Sequence, residues 1–250
     1  MRSLVLALGL FPFASPALAL AQSARVAPAP GCLDARTVGE MRQPGPGEVV
    51  VNTTAGTNYR IGLAADCPGL EADPDAQLLA REGWVCGAGQ EFVRSGERLC
   101  PVVRIERIDA RDYAAAARRA DSTGVTTLPT VSVRPGEPEK RRGFGGSYRY
   151  CFDPRGMRSW SEDPRGLTVE VAPRRNAGNR RYRVELAGSC PILGSSPTLD
   201  FESGMGIGVI CGNPGDVIVS TLDRPGLDVQ APSRLASGAR CAITAVYPQD

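Results

Sequence analysis

The stretch NYRIGLAADCPGL (residues 58–70) returns as RYRVELAGSCPIL (residues 181–193), with identity at Tyr59/Tyr182, Arg60/Arg183, Leu63/Leu186, Ala64/Ala187, Cys67/Cys190, Pro68/Pro191 and Leu70/Leu193. Self-similarity of this kind constrains the fold before any local reading does, because each copy must be one structural unit. The likeness extends outward. Cys32-Leu33-Asp34 with Arg36 answers Cys151-Phe152-Asp153 with Arg155, Cys86-Gly87 with Gly89 answers Cys211-Gly212 with Gly215, and Cys100 answers Cys241. All eight cysteines therefore fall into two sets of four. The gaps between them are 35, 19 and 14 residues in the first set and 39, 21 and 30 in the second, so the last connection differs most, as surface loops allow.

Each copy reads as β structure. Tyr59, Ile61 and Leu63 alternate with Arg60 and Gly62, and Tyr182, Val184 and Leu186 with Arg183 and Glu185, the period of a half-buried strand. Further strands are predicted over residues 48–52, 90–94, 102–108, 167–172, 199–202, 217–221 and 242–247, separated by Gly, Pro and Asn clusters that favour an antiparallel sheet, barrel or sandwich. The expected fold is mainly β, with two similar antiparallel domains, residues 32–108 and 151–250. One short alanine-rich helix over residues 111–120, with Asp109 as its cap, lies between them. It belongs to a connection, residues 109–150, whose remainder is rich in Pro, Gly and Ser, with a strand expected near residues 131–133. This connection carries eight basic and five acidic residues, against eight and eleven in residues 32–108 and eleven of each in residues 151–250.

Compartment follows from the N-terminus. Met1-Arg2 precedes an apolar stretch, residues 4–20, broken by Pro12 and Pro16 and ending at Ala19-Leu20-Ala21. A membrane span needs about 20 uninterrupted apolar residues, whereas this pattern predicts a secretory signal over residues 1–21, followed by a flexible N-terminus over residues 22–31. No later apolar run is long enough to span, and no cysteine ends the signal to carry a lipid. The expected product is periplasmic or secreted. At 42% hydrophobic and 22% charged residues it is a folded chain.

In that compartment an even number of cysteines reads as a disulfide framework for small cores. Pairing within each copy, matched between copies, leaves three connectivities. The nested one is preferred here: Cys32 with Cys100, Cys67 with Cys86, Cys151 with Cys241 and Cys190 with Cys211. No C-x-x-C and no histidine occurs, so no metal site or cofactor is implied.

The absence of histidine also removes the usual general base. No G-x-S-x-G, S-x-x-K or phosphate-loop motif is present, and the GMGIG run of residues 204–208 reads as a turn before Val209-Ile210. Asp200 and Glu202 share a strand face, as a two-carboxylate hydrolase requires, but with Leu199 and Phe201 facing the core the acids face water. The acidic turn EADPD (residues 71–75) lacks the rest of a calcium loop. The stretch EKRRGFGGSYRY (residues 139–150) interleaves arginines with aromatics, so Arg141, Arg142, Phe144, Tyr148 and Arg149 are candidate contacts for a polyanion.

The order C-[LF]-D, Y-x-[IV]-x-L, C-P-x-L, C-G and a final cysteine opening a strand resembles a family of small exported Gram-negative domains of unknown function, here present twice. The resemblance implies export and a stapled β-rich fold, and brings no catalytic residue. Within it, Gln90 stands where the second copy has Asp216. The sequence thus points to a non-catalytic binding or envelope-associated protein. The alternatives are an inhibitor of a hydrolase and a carboxylate-dependent hydrolase. Functional difference is expected in residues 223–238, which only the second copy has.

Overall fold

The computed structural model describes residues 25–70, 73–123, 147–195, 199–220 and 240–249. The first half contributes β1 (Leu33–Asp34), β2 (Val38–Gly45), β3 (Glu48–Thr53), β4 (Asn58–Leu63), β5 (Gln77–Leu79), β6 (Trp84–Val85), β7 (Glu91–Ser95) and β8 (Arg98–Ile108). Helix α1 (Ala110–Thr123) follows. The second half contributes β9 (Met157–Asp163), β10 (Gly166–Val171), β11 (Arg181–Leu186), the single turn α2 (Pro191–Ser195), β12 (Leu199–Glu202), β13 (Val217–Ser220) and β14 (Cys241–Pro248).

Each half folds into one six-stranded antiparallel sheet. Its order is β2-β3-β4-β8-β7-β5 in the first and β9-β10-β11-β14-β13-β12 in the second. Counted by order of appearance, both sheets run 1-2-3-6-5-4. The correspondence reaches local irregularities: the ladder shifts between Gly62 and Leu63 where β4 meets β8, and between Glu185 and Leu186 where β11 meets β14. Inward residues of alternating strands build two separate cores, Val49, Val51, Ile61, Val93 and Val102 in one, Leu167, Val169, Val184, Ile218 and Ile243 in the other. The fold is thus mainly β with two similar antiparallel units, as the strand periodicity indicates.

The disulfides stay within each half and match between halves, but they are interlaced rather than nested: Cys32–Cys86, Cys67–Cys100, Cys151–Cys211 and Cys190–Cys241. Strand order explains the correction. Leu33 pairs with Val85 in the small β1–β6 ladder, which sets Cys32 beside Cys86 with Cα atoms 4.4 Å apart. The bridge between Phe152 and Ile210 does the same for Cys151 and Cys211, at 4.1 Å. The chain leaving β4 passes the start of β8, where Ala64 N–H donates to the Pro101 carbonyl, and so Cys67 meets Cys100. Ala187 and Ala242 repeat that contact beside Cys190–Cys241.

The C-[LF]-D-x-R signature is structural. Asp34 caps a 3-10 turn by accepting from Arg36 N–H and from its guanidinium, and Asp153 does the same with Arg155. The glycines of residues 204–208 form the expected turn, with Gly206 N–H donating to the Ser203 carbonyl. Five strands have no counterpart in the sequence patterning: the two-residue β1 and β6, and β2, β5 and β9. β2 and β9 are outer strands of their sheets, and β2 contains Gly39 and Pro44, the latter within a ladder irregularity between Arg42 and Gly45. β5 has only three residues.

Helix α1 starts one residue earlier and ends three residues later than its composition indicates, and it is more than a connection. Tyr113, Ala114, Ala116 and Ala117 form a third core with Val50 and Ile108 of the first half and Tyr150, Cys151, Val209 and Cys211 of the second. Small side chains bring the helix close to both. Arg111 then binds Glu185 through two hydrogen bonds of 2.8 and 3.0 Å. The connection beyond residue 123, with its expected strand at residues 131–133, lies outside the described residues, as do residues 1–24.

Candidate functional site

Strands β2 and β5 are the two outer strands of the first sheet, and the curl of that sheet brings both to a single cleft of about 1120 Å3. Among the described residues no backbone hydrogen bond joins them, so each presents a free edge of N–H and C=O groups. The apolar lining comes from Met41, Leu70, Leu78 and Phe92, and the charged lining from Arg36, Glu40, Arg42, Asp73, Arg81 and Asp121.

Alternation along β2 sorts its residues. Met41 packs towards the first core, while the buried Gln43 donates to the Cys67 carbonyl at 2.7 Å and accepts from Leu70 N–H at 3.0 Å, fixing the loop at the base of the cleft. Glu40 and Arg42 point the other way, to the seam between the halves. Ser147 Oγ donates to Glu40 at 2.9 Å; Arg42 Nε lies 3.1 Å from Glu40 and 3.4 Å from Asp121 at the end of α1. These are ion-pair distances without hydrogen-bond geometry, since Glu40 Oε1 and Arg42 Nε each lack a hydrogen-bond partner. Tyr150 OH donates to Asp121.

Two tyrosines flank this charge cluster. Burial raises the Tyr113 hydroxyl far above its ordinary value, and the Glu40 carboxylate adds to the shift. Burial and the hydrogen bond to Asp121 raise Tyr150 likewise. Both remain protonated at ordinary pH; Tyr150 donates to Asp121, whereas the buried Tyr113 hydroxyl has no hydrogen-bond partner among the described residues. Opposite them, Asp73 accepts from Ser95 Oγ at 2.6 Å and from Asp75 N–H at 2.9 Å, and these two bonds hold its pKa below the usual carboxylate range. The acidic turn therefore anchors β7 to the cleft wall; Glu71 lies outside the described residues.

The other sequence candidates lie elsewhere. Asp200 and Glu202 face outward from β12 beside the buried Leu199 and Phe201, and Glu202 pairs with Arg240. Tyr148 gives its carbonyl to Tyr182 OH at 2.8 Å, and Arg149 lines a second cleft of about 500 Å3 together with Arg107, Asp109 and Tyr113. Arg141, Arg142, Phe144 and the loop at residues 223–238 lie outside the described residues. Among the described residues no group of three or more Cys, Asp or Glu side chains is placed to hold a metal ion.

The walls of the main cleft are β2 and β5, whose sequences carry little strand patterning. The signal that was present is the short-range charge alternation Glu40-Met41-Arg42, an apolar residue between two ions. No family model matches the chain, and no curated protein and no solved structure is detectably similar to it.

Proposed function

We propose that the protein is an exported, non-catalytic binding protein of the cell envelope or its surroundings, and that the cleft between β2 and β5 takes an extended polypeptide segment as an added strand. The observation that carries this reading is the meeting of two free sheet edges in one cleft, lined by apolar side chains and by both signs of charge. Strand addition draws affinity from main-chain hydrogen bonds and selectivity from the pockets that receive alternate side chains. The four disulfides fit a protein made for an oxidising compartment, and among the described residues no helix is long and apolar enough to cross a membrane. The matched strand order and matched cysteine pairing of the halves support an origin by duplication of one unit.

Panning a random peptide library on the immobilised, oxidised protein tests this reading. Enriched peptides are expected to lose binding when alternate backbone amides are N-methylated, and when the cleft residue Leu79 is changed in Leu79→Arg. Binding indifferent to both changes contradicts it.

A further inference from the structure

Because the two halves share one topology, each surface that α1 covers on the second half has a counterpart on the first. On the second half the helix shares one buried cluster with Tyr150, Cys151, Val209 and Cys211 through Tyr113 and the alanines Ala114, Ala116 and Ala117. One nitrogen of Arg118 donates to three carbonyls, Cys211 at 3.0 Å, Gly212 at 2.7 Å and Thr244 at 3.1 Å. Gly212 is needed for this contact: a Cβ there would lie 2.6 Å from the Arg118 guanidinium and 2.9 Å from Ala245 Cα, and its φ is +74°.

The first half has the same cup. Counting from the paired cysteines, Gly87 corresponds to Gly212, Val103 to Thr244 and Arg104 to Ala245. Gly87 has φ +79°, and a Cβ on it would lie 3.1 Å from Arg104 Cα, so the backbone approaches as closely as in the second half. What differs is the cover. Trp84, Cys86 and Gly87 are only partly buried where Val209, Cys211 and Gly212 are buried. Residues 25–31 are exposed throughout where Ser147 and Tyr150 are buried, and they reach this face through Arg25, whose guanidinium stacks over the Trp84 ring at 5.1 Å and donates to the Glu82 carbonyl; Val103 is 50% exposed. Among the described residues, no side chain donates to the carbonyls of Cys86, Gly87 or Val103. The helix α1 itself cannot serve, since its apolar face and Arg118 are already engaged between the halves.

We infer that this face of the first half is a docking site for an α-helix of a partner protein that presents an arginine next to small residues. By correspondence with Cys211, Gly212 and Thr244, whose carbonyls meet on one Arg118 nitrogen, the carbonyls of Cys86, Gly87 and Val103 would offer a cup of negative partial charge, which a guanidinium complements with several donors in a fixed fork. The glycine and the exposed Val103 admit a helix only where its side chains are small, and Arg25, stacked over Trp84, bounds the site on its other side. This surface is separate from the strand-binding cleft, and the inference does not depend on that reading.

The probe is a stapled helical peptide of residues 110–123, titrated into the intact, oxidised, isotope-labelled protein. Saturable shifts are expected at Gly87, Val103 and the Trp84 indole. Affinity should fall at least tenfold for the peptide carrying Arg118→Ala, and likewise for wild-type peptide against the protein carrying Val103→Arg, which places a like charge at an exposed position. No saturable shift at these residues at millimolar peptide, shifts confined to the second half, or an affinity unchanged by Arg118→Ala would each overturn the proposal.

Discussion

Asp216 is 1% exposed and accepts from three backbone N–H groups, those of Gly204, Cys211 and Asn213, at 2.9 to 3.1 Å. Its counterpart in the first half is Glu91, which accepts from Cys86 and Gln90 N–H. Both acids stand five residues after their cysteine, and strand register agrees, since Val93 faces Cys100 as Ile218 faces Cys241. Matching Gly89 to Gly215 places Gln90 opposite Asp216; the structure corrects this by one residue, because the glycine and not the acid is shifted. Removing a charged acceptor strands every donor it served. Asp216→Ala is therefore expected to cost about 3 kcal/mol or more in urea unfolding, and Glu91→Ala, with fewer donors stranded, about 2 kcal/mol. A second residue-scale test concerns pH. The Arg183 guanidinium holds Asp163 down to about 2, against 3.8 ordinarily, assisted by the Arg165 N–H. A lowered folded-state pKa contributes stability that is complete above about pH 4 and disappears as pH falls through 2. Asp163→Asn should be less stable than the unaltered protein at pH 7, and the two unfolding curves should converge near pH 2.

Among the elements, strands with apolar alternation were legible, including the outer strand β12, while the outer strands β2, β5 and β9 lack that pattern. The alternation of Tyr182, Val184 and Leu186 marks β11 because each inward residue is apolar and the strand pairs on both sides. β9, with the sequence MRSWSED, shows no such pattern since only Met157 and Trp160 pack on the core. The helix was legible from its alanines, yet its role was not, for nothing local says that an alanine face will meet two partners. Both Ala116 and Ala117 are fully buried. Ala117→Leu should lower the urea midpoint by an overpacking cost of about 1–3 kcal/mol, with an unchanged denaturant slope. The cleft shows the same limit: it is made of β2 and β5, and two edges become one site only through the curl of the sheet.

In the whole molecule, two stapled sheets of one topology are joined by a helix that packs on both, and the face it covers on the second has a partly exposed counterpart on the first. Each cysteine pair closes a span of 33 to 60 residues, and the bridges within a half overlap along the chain. Constraint of the unfolded chain over such spans amounts to roughly 4 kcal/mol per bridge. Changing Cys67 and Cys100 together to alanine should therefore destabilise the first half by about that amount in urea unfolding of the oxidised protein. The equivalence of the halves, on which the comparison of their surfaces rests, is tested most directly by mapping the disulfides of the unreduced protein by proteolysis and mass spectrometry. The structure predicts peptides linked as Cys32–Cys86, Cys67–Cys100, Cys151–Cys211 and Cys190–Cys241. A Cys32–Cys100 or Cys67–Cys86 link, or any bridge from one half to the other, would contradict it.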